Sequence, residues 1–157
     1  LGPTATYRGV DLSPTMAGLA EQRLSEFGDR ARVVLTDGGP PASEPPGSFD
    51  RFVSNFVFDL LSESDIAAVV SEAHRMLRPG GLLCLASLSP GHGLVSGAVI
   101  RVWSLLHRLD PRLVAGCRPI ELLPFIEEDR WKVRHHRPMA PYGLPCEAVV
   151  AERLSGS

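Results

Sequence analysis

The chain of 157 residues is 44% hydrophobic and 22% charged, with a net charge of −2, the balance of a globular domain long enough to bury a core. That charge excludes the basic footprint expected of a nucleic-acid or anionic-membrane binder, and no apolar run approaches the length of a membrane span. Three widely spaced cysteines, Cys84, Cys117 and Cys146, exclude a disulfide framework and a metal site and imply a reducing, cytoplasmic compartment.

In chain order, Leu1 to Thr6 reads as a loop and Tyr7 to Val10 as a short strand, closed by Asp11. Ser13 is an N-cap and Pro14 fits the first helical position, where its missing N–H costs nothing. Met16, Leu19, Ala20, Leu24 and Phe27 then recur at helical spacing, with Gly28 as a stop. Arg32 to Thr36 is a second strand, again followed by an acid, Asp37. Residues 38–48 are rich in Pro and Gly and form a surface loop. Phe49 to Asn55 is a third strand. Ser62-Glu-Ser-Asp65 has the pattern of a capping box before a stripe of Ile66, Val69, Val70, Ala73 and Leu77, and Pro79-Gly80-Gly81 ends that helix. Leu82 to Leu88 is a continuous apolar run, the pattern of a strand covered on both faces.

The last third changes character. Leu94 to Leu109 is a long apolar helix containing Trp103, and Ile120 to Glu128 is a second, shorter one. Trp131 to Arg137 and Glu147 to Glu152 read as two strands with no helix between them, hence an antiparallel pair at a sheet edge. The alternation before them implies a parallel sheet with right-handed crossovers. The fold class is therefore α/β in a single domain over residues 1–157. The Arg-, Ala-, Pro- and Gly-rich composition, with Lys132 as the only lysine, points to a GC-rich bacterial source.

Four segments carry a resemblance: Gly9-Val-Asp-Leu-Ser-Pro-Thr-Met16, Val33-Val-Leu-Thr-Asp37, Phe49-Asp-Arg-Phe-Val-Ser-Asn55 and Leu77-Arg-Pro-Gly-Gly-Leu-Leu83. In this order and spacing they resemble a class I S-adenosylmethionine-dependent methyltransferase of the small-molecule type, with a Rossmann-like, mostly parallel sheet ending in an antiparallel pair. The resemblance implies S-adenosylmethionine as cofactor and a small, apolar molecule as methyl acceptor. It implies that Asp11 holds the cofactor ribose, that Leu12 and Met16 lie near the adenine, and that Asp37, with Gly38 beside it, meets the adenine amino group. Ser54, Asn55 and Phe56 would line the methionine moiety. The family's first strand and its glycine-rich turn are missing from this sequence. The intact product is thus expected to carry a further N-terminal segment, or else a partner chain or homo-oligomer completes the sheet.

The residues themselves support Asp11 most strongly. An acid at the carboxyl end of a parallel strand accepts hydrogen bonds from a ribose; the competing reading, an acid favoured by the helix dipole, is weakened because Ser13 already caps. For Asp37 a turn role competes evenly. His92 and Asp59 are the candidates for a proton-accepting group near the acceptor, each set against an ordinary loop role. Val95, Val99, Val102, Trp103 and Leu106 either contact an apolar acceptor or pack on the sheet as a core helix. Arg118 either holds an anionic acceptor or makes a surface ion pair. His135 and His136 point to opposite faces of a strand and cannot serve one metal. Two other classes remain open. A nicotinamide-dependent oxidoreductase shares the ribose acid but lacks a Tyr-x-x-x-Lys pair here, and a non-catalytic interaction protein would carry a degenerate cofactor site.

Overall fold

The computed structural model describes residues 1–38, 44–91, 94–114 and 116–155. The chain divides into two compact units, Leu1–Ser43 and Glu44–Ser157, which are taken separately below. His92 lies outside the described residues, as does much of the Pro/Gly loop over residues 39–43.

The first unit is a βαβ crossover. Strand β1 (Tyr7–Asp11) and strand β2 (Ala31–Leu35) pair in parallel, Gly9 opposite Val33 and Asp11 opposite Leu35. Helix α1 (Pro14–Leu24) connects them, opened by Ser13, whose hydroxyl accepts the Met16 N–H at 3.3 Å. The helix closes at Leu24 and continues as a 3-10 segment, Ser25–Arg30, so the spaced pattern out to Phe27 outlasts the α-helix. The inward face is Ala17, Ala20, Leu24 and Phe27, while Met16 and Leu19 are exposed. Arg30 ties the end of this unit to its start, donating to the carbonyls of Gly2, Pro3 and Ala5.

The second unit holds a four-stranded sheet in the order β3-β4-β6-β5. Strand β3 (Phe49–Asn55) is parallel to β4 (Leu77–Leu88), and β6 (Cys146–Arg153) runs antiparallel to both β4 and β5 (Trp131–Met139). The expected antiparallel pair is present at the edge, with the last strand inside it. Helix α2 (Glu63–Met76) supplies the crossover, its Ser62 hydroxyl accepting the Asp65 N–H at 3.2 Å. Ile66, Val70 and Ala73 pack on Leu83, Leu85, Val149 and Ala151, and Trp131 closes the end of this core. Successive residues of a strand face opposite sides, so β4 presents Leu83, Leu85 and Ser87 fully buried and Leu82, Cys84 and Ala86 half-buried. It is not covered equally on both faces.

Two sequence expectations change here. Pro79-Gly80-Gly81 is not a plain helix stop: Leu77 already pairs with Phe49, and pairing resumes only at Leu82 with Arg51. The residues between bulge out, Gly80 at φ +75°. A Cβ on Gly81 would come within 2.8 Å of the Arg78 carbonyl oxygen, so no larger residue fits that bulge. The helix expected over Ile120 to Glu128 is only a 3-10 turn, Leu123–Phe125. Pro124 contributes no N–H, and the Leu122 N–H is bonded to the Glu147 side chain at 2.7 Å. Helix α3 (Leu94–Leu109) has the bounds expected of it.

Candidate functional site

Parallel strands gather their carboxyl ends at one edge, where open α/β sheets bind ligands. In the first unit this edge carries Asp11, Leu12, Met16, Asp37 and Gly38. The Thr36 N–H donates to the Asp11 carbonyl at 3.0 Å, which brings the two strand ends level. One oxygen of the Asp11 carboxylate, Oδ1, accepts the Ser13 N–H at 2.8 Å. This bond orients the carboxylate at the strand end, so the acid contributes to the turn. Gly38 sits at φ +108°, a conformation that disfavours any side chain, and a Cβ there would lie 3.6 Å from Leu12 Cδ2. Leu12 and Met16 are 61% and 53% exposed. Two apolar side chains left open beside a bare backbone, next to an oriented acid, are suited to a flat aromatic ring joined to a sugar diol.

The second unit has a carboxyl edge of its own, formed by the ends of β3 and β4. Asn55 pairs with Ala86, and the Phe56 N–H donates to the Ala86 carbonyl at 2.8 Å. Phe56 itself is left-handed, φ +54°, with its ring 48% exposed. A bulky residue held there costs about 1–3 kcal/mol, and such strain gathers where backbone must be aimed at a ligand. Ser54 is half-buried and Asn55 exposed beside it.

Beyond this edge, Phe58–Leu60 forms a 3-10 turn, and its middle residue Asp59 is wholly shielded from solvent. Burial raises the Asp59 pKa, against weaker opposing effects of its own backbone, the Leu88 backbone and the Cys117 thiol. Arg118 is half-buried, and among the described residues its guanidinium donates to the Leu61 carbonyl at 2.5 Å rather than to an acid. Helix α3 buries Ile100 but leaves Val102 59% exposed. Its open side carries an apolar patch of Ala98, Val99, Val102, Trp103 and Leu106. Four of these are residues the sequence offered for an apolar acceptor.

One polar pair escaped the sequence reading. Glu147, 6% exposed, accepts the Leu122 N–H with Oε1, and its Oε2 lies 2.6 Å from His136 Nε2. A register shift between Val133 and His135 decides which histidine meets the acid. The only signal in the sequence was a lone acid at the head of an apolar strand. Strand β5 lies two strands beyond β4, about 10 Å away, so this pair fastens the terminal hairpin rather than reaching the end of β3.

Comparison with known proteins bears on the family and the fold. A family model described as a methyltransferase domain matches residues 1–81, just over half of the chain. The chain belongs to this methyltransferase family. A carboxy-S-adenosyl-L-methionine synthase of Chromohalobacter salexigens is 35% identical over 83 residues, 52% of this chain and 30% of that protein. A demethylmenaquinone methyltransferase of Tropheryma whipplei is 35% identical over 85 residues, 54% of this chain and 34% of that protein. The chain thus matches about a third of the length of these relatives. A geranyl diphosphate methyltransferase solved with S-adenosylmethionine shares the fold at a TM-score of 0.69 and 17% identity, over 96% of this chain and 69% of that one. The family is that of a methyltransferase domain, and the fold shared with that structure is the α/β architecture expected from the sequence. Among the described residues no helix is long and apolar enough to cross a membrane.

Proposed function

We propose that this methyltransferase chain transfers the methyl group of S-adenosylmethionine to a small, apolar acceptor. The observation that carries the reading is the oriented Asp11 carboxylate beside the open Leu12–Gly38 contact, a set of groups that fits an adenosine. Asp11 would accept from the ribose hydroxyls, Leu12 and Met16 would cover the adenine, and Asp37 with Gly38 would meet its amino edge. Ser54, Asn55 and Phe56 would hold the methionine portion. The family match draws on residues of both units, which supports treating residues 1–157 as one methyltransferase domain.

Bound S-adenosylmethionine supplies a methyl already activated on a sulfonium. The chain's task is then to position an acceptor in line and to exclude water. The apolar face of α3 supports an acceptor with little polar surface. A proton-accepting residue is needed only for a protic acceptor, and Asp59, shielded from solvent, is not given that role. Bacterial relatives and three free thiols support a bacterial, cytoplasmic setting.

Calorimetric titration with S-adenosylhomocysteine tests the reading. The wild-type protein is expected to bind. Asp11→Ala should bind about 10- to 100-fold more weakly, the effect of losing hydrogen bonds to a charged group, about 1.5–3 kcal/mol. Equal affinity of the two would remove the ribose role, and no binding by the wild type would remove the cofactor reading.

A further inference from the structure

The loop after β3 and the turn after α3 are tied together around one buried acid. The Arg118 N–H donates to the Asp59 carbonyl at 2.9 Å while the Arg118 guanidinium holds the Leu61 carbonyl. One residue earlier, the Cys117 carbonyl accepts the Trp103 indole N–H of α3 at 2.9 Å. The Asp59 side chain lies inside this knot with 0% exposure, and among the described residues neither of its carboxyl oxygens has a hydrogen bond of full geometry. Burial of this kind disfavours the charged form of the acid.

We infer that Asp59 is a positioning residue, a latch that keeps the loop after β3, the Cys117–Arg118 turn and α3 in one arrangement and releases them when its carboxyl ionises. The ionised carboxylate would keep only the contacts of its own backbone, the Leu88 backbone and the Cys117 thiol, which do not outweigh burial, so it is drawn toward water, and the ladder of β3 on β4 holds the sheet side in register. The movable side is the turn, joined through Arg118 and Trp103. Burial raises the Asp59 pKa, so release comes on raising the pH rather than lowering it. Cys117 is the titratable group facing Asp59; its thiol is itself pushed up by burial and by the acid, so it adds no charge at neutral pH. Strand β4 presents the Leu88 backbone to the acid, and α3 joins through Trp103, which does not titrate in this range. Since the apolar patch on α3 includes Trp103, the latch sets the shape of the proposed acceptor surface. That consequence rests on the functional reading above; the latch itself does not.

Hydrogen–deuterium exchange of the whole protein between pH 4 and 9, corrected for intrinsic rates, reads the latch directly. In the wild type, amides of residues 58–61 and 117–120 should lose protection together as the pH rises. The loss should be about tenfold for each unit by which folding shifts the acid. Asp59→Asn, which cannot ionise, should keep its protection throughout. Trp103→Phe removes the indole bond and should release the same segments at a lower pH than the wild type. A flat wild-type profile, an equal loss in Asp59→Asn, or an unshifted Trp103→Phe profile would each overturn the latch. Failure of S-adenosylhomocysteine to bind would leave this profile untouched, so the two proposals fail separately.

Discussion

Glu147 shows how a single residue is decided by its partners. A carboxylate in an apolar strand is costly unless its oxygens are bonded, and here the Leu122 N–H and His136 take one each. Glu147→Ala leaves that N–H without its acceptor and is expected to lower stability by about 1–3 kcal/mol, measured as a shift of the urea midpoint. Glu147→Gln retains an acceptor for Leu122 and should lose less. An alanine variant as stable as the wild type would show that the hairpin is held by the strand ladder alone. The place of Asp11 at the end of β1 was legible because an acid between a strand and a capped helix is a local pattern. The Glu147–His136 pair was not, because residues eleven apart meet only after the strand shifts its register.

At the scale of elements, the readable ones are those whose ends are fixed locally. Ser62 opens α2 as expected, and its hydroxyl accepts the Asp65 N–H while lying 2.6 Å from the Asp65 carboxylate. Ser62→Ala is expected to cost about 1 kcal/mol, visible as a lower melting temperature with no change in helical content at 25 °C. No change in melting temperature would mean that the packing of Ile66 and Val70 alone holds the helix start. Helix α3 kept its expected bounds because Pro90 and Gly91 precede it and Asp110-Pro111 follow it. The segment from Ile120 to Glu128 failed for the converse reason. Its apolar spacing suits a helix, yet Ile120, Leu122 and Ile126 are drawn singly into the core, with one backbone donor given to a side chain of another strand.

For the whole molecule, the buried titratable groups define a pH window. His74 packs edge-on to Trp131, ring centroids 5.1 Å apart. Burial, then the charges of Arg130 and Arg153, hold its pKa down. Below about pH 6.5 the unfolded chain therefore takes up a proton that the folded chain refuses, and stability falls as the pH falls. Glu72 and Glu152, held down by hydrogen bonds from Arg75 and Arg134, add a second loss below about pH 4.3. At the other end, burial pushes up the thiols of Cys84, Cys117 and Cys146. The unfolded chain then loses protons first above about pH 8.5, and stability falls again. Asp59, whose pKa burial raises, works the other way and takes away stability as the pH climbs above about 3.9, so melting temperatures taken from pH 4 to 10 should pass through a maximum between the two outer limbs rather than a flat plateau. His74→Phe should flatten the limb just below pH 6.5, and an unchanged slope there would sink the assignment.

What the sequence determined by itself was local: caps, breakers, apolar spacing and the acids that follow strands. These are set by residues within a few positions of one another, and they were enough to recognise the α/β methyltransferase pattern and the groups expected at its carboxyl edges. Tertiary structure alone decided which face of α1 turns inward, how β4 bulges at Pro79-Gly80-Gly81, that Asp59 is sealed from solvent, and which histidine meets Glu147. Each of those depends on burial or register between segments far apart in the chain, and neither quantity is carried by any short stretch of residues.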